Sequence, residues 1–213
     1  MFGPRLSIKN EKASIELGPY IKEYANIFAE LGSSAVVRMF TGGPYGTTLE
    51  DEQDLYEQMR LNKTSVTWAI RPEAYDSPVG CVSLHRISYD GSCTSEIMLV
   101  NREYWGKGIG TLSHMVAVWY ATDHLNRSII RATCSEANIA SIKSLENVGY
   151  FKTGRRLRTY FRNNKYYDDI DMAWINPSRS ELLYPEGVPE EYTLHIEKAT
   201  KILKDTREKV LML

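Results

Sequence analysis

The apolar positions of this chain change period several times, and each change marks an element. Leu6 and Ile8 alternate around Ser7, which predicts a short first strand. Tyr20, Ile21, Tyr24, Ile27, Phe28 and Leu31 recur at three- and four-residue steps, the stripe of a helix over residues 19–31 that Gly32 would end. Residues 35–40 are apolar and run into Thr41-Gly42-Gly43-Pro44-Tyr45-Gly46. That breaker-rich loop is expected either beside a binding cleft or as a plain surface connection. Thr48 is placed to cap a helix over 49–62, with Glu50, Asp51 and Glu52 in the first turn, where carboxylates complement the helix dipole.

Further along, residues 65–71 and 79–87 read as strands joined by a turn-rich connection, and Asp90-Gly91 closes a hairpin into a strand over 93–100. Residues 109–125 place Ile109, Leu112, Val116 and Trp119 on one side of an amphipathic helix. A short buried strand over 128–133 follows. Asn138 then caps a helix through Asn147, with Ile139, Ile142 and Leu145 inward and Gly149 as its stop, before strand resumes at Tyr150-Phe151. Residues 159–174 form a hairpin turning at Asn163-Asn164, with Ile170, Met172 and Trp174 on one face and Asp169 and Asp171 on the other. Over 190–212, Tyr192, Ile196, Ala199, Leu203, Thr206 and Val210 draw an apolar seam on a charged helix. The seam fits packing on its own chain or on a partner helix, most simply a second copy in a homodimer.

This order predicts an α+β domain with a mixed sheet over residues 1–176, followed by a C-terminal loop and helix extension over 177–213. A doubly wound dinucleotide fold is excluded, because antiparallel strands rather than βαβ units precede the glycine loop. A Walker loop is excluded too, since no Gly-Lys-Ser or Gly-Lys-Thr stands at the required spacing.

The chemistry concentrates at residues 94–111. Apolar Ile97 to Val100 lead into Gly106, Gly108 and Gly110 with Lys107 among them, and a helix begins at Ile109 or Gly110. Alternate glycines leave backbone N–H groups uncovered, and the positive end of the helix adds to them, which makes an anion site suited to phosphate. A plain strand-to-helix turn is the other reading of the glycines alone.

Composition narrows the classes without choosing among them. With 213 residues, 43% hydrophobic and 25% charged, the chain has the make-up of an ordinary globular domain. A net charge of −1 gives no field for nucleic acid or membrane, and no stretch reaches the roughly 20 apolar residues of a membrane span. Cys81, Cys93 and Cys134 lack metal-ligand spacing and suit reduced thiols in the cytoplasm; no metal site and no secretory leader is expected.

Trp105-Gly106-Lys107-Gly108-Ile109-Gly110, reached after an antiparallel meander, resembles the Q/R-x-x-G-x-G/A loop of the GNAT superfamily of acetyl-CoA-dependent N-acetyltransferases. Trp105 departs from Gln or Arg at the first position. Tyr104-Trp105-Gly106-Lys107-Gly108, together with Asn138-x-x-Ser141 and Glu146-Asn147-Val148-Gly149-Tyr150, resembles the Rim-type branch that acetylates ribosomal-protein N-termini. The resemblance covers roughly residues 5 to 176. It implies a splayed mixed sheet flanked by helices, with the pantetheine arm of acetyl-CoA bonded by backbone groups of Met98, Leu99 and Val100. It places the pyrophosphate on the amides of Arg102, Gly106, Lys107, Gly108, Ile109, Gly110 and Thr111, and Asn138 against the pantetheine or the acetyl end. Many members carry a tyrosine acid seven residues after Asn138, where this chain has Leu145. The Rim-type branch nominates Ser141 in that role instead.

Transfer from a thioester to an amine needs a base for the amine, a donor for the developing oxyanion and a proton for the thiolate. Glu96 is the candidate base, its pKa expected to rise by burial in an apolar strand; the other reading is a solvent-facing glutamate. A backbone N–H near Leu99 is the candidate oxyanion donor, and His85 is a weaker base candidate. Tyr150 and Tyr160 read chiefly as core or hairpin aromatics. The basic run Lys152, Arg155, Arg156, Arg158, Arg162 and Lys165 reads as a solvated hairpin face, or as a partner for the CoA 3′-phosphate or an acidic surface. The favoured acceptor is a peptide N-terminal α-amine. A small-molecule amine is the alternative; for a polyamine, Glu50, Asp51, Glu52 and Asp54 are the available carboxylates. The remaining alternative is a non-catalytic acyl-CoA-binding regulatory domain.

Overall fold

Nine strands, some of which bury every second residue, build one mixed sheet in the computed structural model, which describes residues 1–41 and 46–213. The N-terminal half supplies β1 (Leu6–Lys9), β2 (Ser14–Pro19), α1 (Ala25–Gly32), α2 (Ala35–Thr41) and α3 (Leu49–Leu61). The meander β3 (Val66–Pro72), β4 (Gly80–His85) and β5 (Ser92–Leu99) follows. Then come α4 (Ile109–Asp123), β6 (Ile129–Ser135), α5 (Ile139–Val148) and the hairpin β7 (Phe151–Arg162) and β8 (Lys165–Ile175). A short α6 (Ser180–Leu183), a long α7 (Glu190–Lys209) and β9 (Leu211–Met212) complete the chain. The strand order is β7-β8-β6-β5-β4-β3-β2-β1-β9, and β5 with β6 is the parallel pair between named strands.

That parallel pair creates the site. Ser92, Cys93 and Thr94 pair with Ile129, Ile130 and Arg131, and there the pairing stops, although β5 runs on to Leu99 and β6 to Ser135. The two strands therefore splay apart in a V and leave one edge of β5 unpaired by protein. Each face of the sheet has its own core. Leu17, Trp68, Val82 and Leu84 pack with Leu112, Val116 and Leu203 on one side; Tyr20, Phe28, Val37, Ala69 and Val100 gather on the other.

Local chemistry accounts for most elements. Thr48 and Asp51 form a reciprocal capping box at α3, Asn138 caps α5 through the Ser141 N–H at 3.1 Å, and Gly149 ends α5 at φ 105°. Asn163 and Asn164 both have positive φ, as a tight hairpin turn requires.

Several expectations are corrected. Ser14–Pro19 is a strand, so the stripe from Tyr20 becomes a 3₁₀ turn and a helix that starts only at Ala25, and Ile21 is left exposed. Strand β7 begins at Phe151, where strand is expected to resume, and runs unbroken into the hairpin expected from 159, because register shifts near Gly154 and before Tyr160 let one long strand follow β8. Helix α4 is buried on nearly every side, Ser113 and His114 included, because α7 covers the face the periodicity had assigned to solvent. Ile139 is 55% exposed rather than inward, since it stands on the first turn of α5 at the rim of the groove described below.

The C-terminal seam lies on its own chain, with Ala199, Leu203 and Thr206 buried against α4 and α5, and that leaves no seam for a partner helix at these positions. The helix stops at Lys209, and Leu211 and Met212 pair with Ser7 and Leu6 as an edge strand. Among the described residues no helix is long and apolar enough to cross a membrane.

Candidate active site

Where β5 and β6 part, a groove of about 980 Å³ opens, and it runs from the end of β5 over the N-termini of α4 and α5. Met98 and Leu99 line its β5 wall, Gly106, Gly108, Ile109, Gly110 and Thr111 its turn, and Asn138 and Ser141 its α5 wall. These expected residues come together in one place. Gly108 has φ 85° and is the N-cap of α4, and Gly106 has φ 74° with nothing near the position a Cβ would take. The loop thus presents bare amides at a helix N-terminus, the donor set a pyrophosphate needs.

Trp105 explains its own departure from the motif. Its indole Nε1–H donates to the Leu99 carbonyl at 3.0 Å, tying the glycine loop to the end of β5. That bond occupies one of the Leu99 groups expected to hold the pantetheine arm. Val100 is also spoken for: it is buried and its N–H donates to Val79 O at 2.9 Å. Arg102 and Lys107 do not line the groove. The Arg102 guanidinium lies 5.8 Å from the Trp105 ring centroid, and Lys107 Nζ lies 4.9 Å over Tyr104. Deeper in, Thr111 Oγ1 and Ser144 Oγ are 3.2 Å apart and join α4 to α5. Burial pushes the Cys134 thiol up to about 11, so it stays protonated, and it shares a side-chain hydrogen bond with Ser141.

Glu96 sits on β5 opposite Ser83, on the same sheet face as Met98. Its side chain is 71% exposed, and its Oε2 lies 3.2 Å from His85 Nε2 on β4. The expected rise in its pKa does not occur. The hydrogen bond from His85, with the charges of His85 and Arg86, outweighs desolvation and holds the carboxyl below its usual range. A carboxylate with that environment is ionised at neutral pH and open to a cationic amine.

Of the carboxylates named for a polyamine, two are already used. Asp51 is bonded within the capping box, and Glu52 is buried, accepting from Thr47 Oγ1 at 3.0 Å beside Arg38 Nη2 at 3.9 Å. The basic run lies elsewhere: none of it is among the described residues lining the groove. Arg155 pairs with Asp168 and Glu136, and Arg156 with Asp169 and Asp171. Gly42 to Tyr45 of the breaker-rich loop lie outside the described residues, and Thr41 before them lines the groove.

Three features escaped the sequence. Tyr160 reaches from β7 to the carbonyls of Arg38 and Met39 on α2. A buried cluster of Ser95, His114 and Tyr150 lies on the opposite face of β5 from Glu96, with Ser95 Oγ and His114 Nδ1 3.3 Å apart. Lys143 and Lys198 line the far end of the groove. Only the His114 cluster left a local sign, a polar Ser113-His114 pair inside an apolar helix.

The family model described as acetyltransferase (GNAT) domain matches residues 15–150. Spermidine N(1)-acetyltransferase of Escherichia coli K12 is 24% identical over 161 residues, covering 75% of this chain and 85% of that protein. A solved spermidine N-acetyltransferase from Vibrio cholerae, in complex with CoA and spermine, shares the fold at TM-score 0.70 and 18% identity, covering 78% of this chain and 96% of its own. A solved acetyltransferase structure from T. thermophilus covers 98% of this chain and 97% of its own at TM-score 0.68 and 16% identity.

Proposed function

The chain belongs to the GNAT acetyltransferase family and is an acetyl-CoA-dependent N-acetyltransferase, and on that premise we propose that its acceptor is a small primary amine of the polyamine type. The observation that carries this reading is Glu96, an exposed and ionised carboxylate beside the β5 wall of the groove, in a chain whose curated relatives are spermidine acetyltransferases. A carboxylate held below its usual pKa attracts an ammonium ion and orients it by a charge-assisted hydrogen bond.

The groove fits the co-substrate, which supplies an activated acetyl group as a thioester. The bare amides of the glycine loop hold the pyrophosphate, and the unpaired edge of β5 holds the arm as an added strand. Glu96 accepts a proton from the amine and, with its side chain 71% exposed, releases it to solvent, while the hydrogen bond from His85 holds the carboxylate in place. The β5 N–H at Leu99 faces the negative charge that develops on the acetyl oxygen, and Ser141, backed by the protonated Cys134, donates toward the departing sulfur. Residues 1–176 act as the catalytic domain, and 177–213 as an extension that buttresses α4 and α5.

The Rim-type motifs at residues 104–108 and 138–150 support a second reading, a peptide N-terminal α-amine as acceptor. A CoA-release assay against spermidine, spermine, aminoglycosides and N-terminal peptides separates the two. Turnover of polyamines above all peptides is expected. Peptide turnover with polyamines inert would overturn the proposal, and no turnover of any amine on the panel would overturn both acceptor readings.

A further inference from the structure

The groove does not end at the glycine loop. It continues along α5, where Lys143 and Asn147 line it, to Lys198 on α7, and Lys12 of the β1–β2 turn borders it from across. Helix α7 lies outside residues 15–150, the stretch that matches the family model.

Its position is firmly set. Gly149 lets the α7 backbone close in, since a Cβ there would stand 3.2 Å from both the nitrogen and the Cα of Ala199. Leu203 and Thr206 are buried, and Arg207 grips Asp123 of α4 with two bonds of 2.7 and 2.8 Å. Lys198 therefore stands next to a buried anchor, Ala199, on a helix that cannot swing away.

Among the described residues, Lys12, Lys143 and Lys198 form no ion pair, whereas Lys152 and Lys209 elsewhere do, at 3.6 and 2.6 Å. Glu11 is the one acidic residue among those described as lining the groove. Lys143 and Lys198 are thus unpaired cations on the α5 and α7 side of a cleft whose other anion site, the glycine loop, is made of neutral amides, and Lys12 stands beside that loop, its Cβ 3.6 Å from where a Cβ on Gly108 would lie.

We propose that Lys143 and Lys198, with Lys12 opposite, form a subsite for the 3′-phosphate of the CoA ribose, so that the C-terminal helix is part of the CoA site. The inference rests on the groove being the CoA site. A phosphomonoester carries nearly two negative charges at neutral pH and needs cations rather than amides alone. Lysine suits it as a mobile point charge at a solvent-facing rim.

The test is calorimetric binding of CoA and of 3′-dephospho-CoA to wild type and to a Lys143→Gln/Lys198→Gln double variant. Wild type is expected to prefer CoA by about tenfold at low salt, less as salt screens the rim. The double variant should bind both ligands alike, with its affinity for 3′-dephospho-CoA unchanged, which also shows that it is folded. A wild-type preference retained in the double variant, or no preference in wild type, would overturn the subsite while leaving the CoA groove intact. Failure of wild type to bind either ligand would overturn the groove assignment and the subsite with it.

Discussion

The Tyr160 hydroxyl donates to the carbonyl of Arg38, 2.8 Å away and 122 residues earlier in the chain, and shares the same proton with Met39 O at 2.6 Å. This contact latches strand β7 to α2, the helix whose Val37, Phe40 and Thr41 line the groove. On its other side α2 leans on the glycine loop, with the Phe40 and Trp105 rings 6.3 Å apart. The α2 wall of the cleft is thus held by a strand from the far end of the sheet.

Tyr160→Phe removes the donor and keeps the ring. Loss of one net hydrogen bond, about 1 kcal/mol, should loosen α2 and raise the KM for the amine roughly fivefold. The CoA dissociation constant should stay within about twofold of wild type, because the glycine loop keeps its own tie from Trp105 to Leu99. Steady-state kinetics with calorimetric CoA binding checks the split; equal losses in both would deny the latch a role on the acceptor side.

Glu96→Gln keeps the shape of the side chain and removes its charge. Acetyl transfer should fall about a hundredfold with CoA binding unchanged. The low pKa of Glu96 can be read directly. Carbon-13 NMR of labelled glutamate should show it titrating below the ordinary 4.5, and His85→Phe should move that titration upward. The sign follows from linkage. A depressed carboxyl contributes stability above its unfolded-state pKa and loses it as pH falls through the folded one, so His85→Phe should also flatten stability on the acid side.

Gly108→Val places a β-branched side chain at φ 85° and over the phosphate-facing amides. CoA affinity should drop at least about tenfold. Gly108→Ala should show a smaller loss, since it adds the strain of positive φ with less bulk. Near-normal CoA affinity in the valine variant would remove the pyrophosphate from this loop.

His114 is buried, and burial lowers its pKa from 6.5 to about 4. The unfolded chain takes up this proton below pH 6.5 while the folded chain refuses it until about 4, so stability should decline as pH falls through that window. Its share approaches an order of 3 kcal/mol at the acid end. Urea denaturation at pH 7, 5.5 and 4.5 should show a shallower slope for His114→Asn, which keeps a hydrogen-bonding atom for Ser95. Parallel slopes would place the pH dependence in other groups.

Much of the fold could be read from the chain because its signals are local. Thr48, Asn138, Gly149 and Asn163-Asn164 act within four residues of themselves, and each stands where its chemistry predicts. Strand β2 was invisible for a related reason. Ser14–Pro19 offers only Ile15 and Leu17 as an alternating pair, too short a pattern to outweigh the helical stripe that starts at Tyr20. Burial misled the reading of α4, since a helix covered by α7 as well as by the sheet has no solvent face to reveal its sides.

The amino-acid sequence by itself determined the glycine turn, its helix, the capped helix after it and the antiparallel meander before it, and hence the place of the groove. These depend on backbone preferences and periodicity that neighbours along the chain impose. Only the tertiary structure decided that Glu96 is exposed and acidified by His85, that Tyr160 holds α2, and that Lys198 reaches the groove from a helix 90 residues beyond Gly108. Each of those depends on two segments far apart in sequence meeting at a few ångströms, and electrostatic environment follows distance in space, not order along the chain.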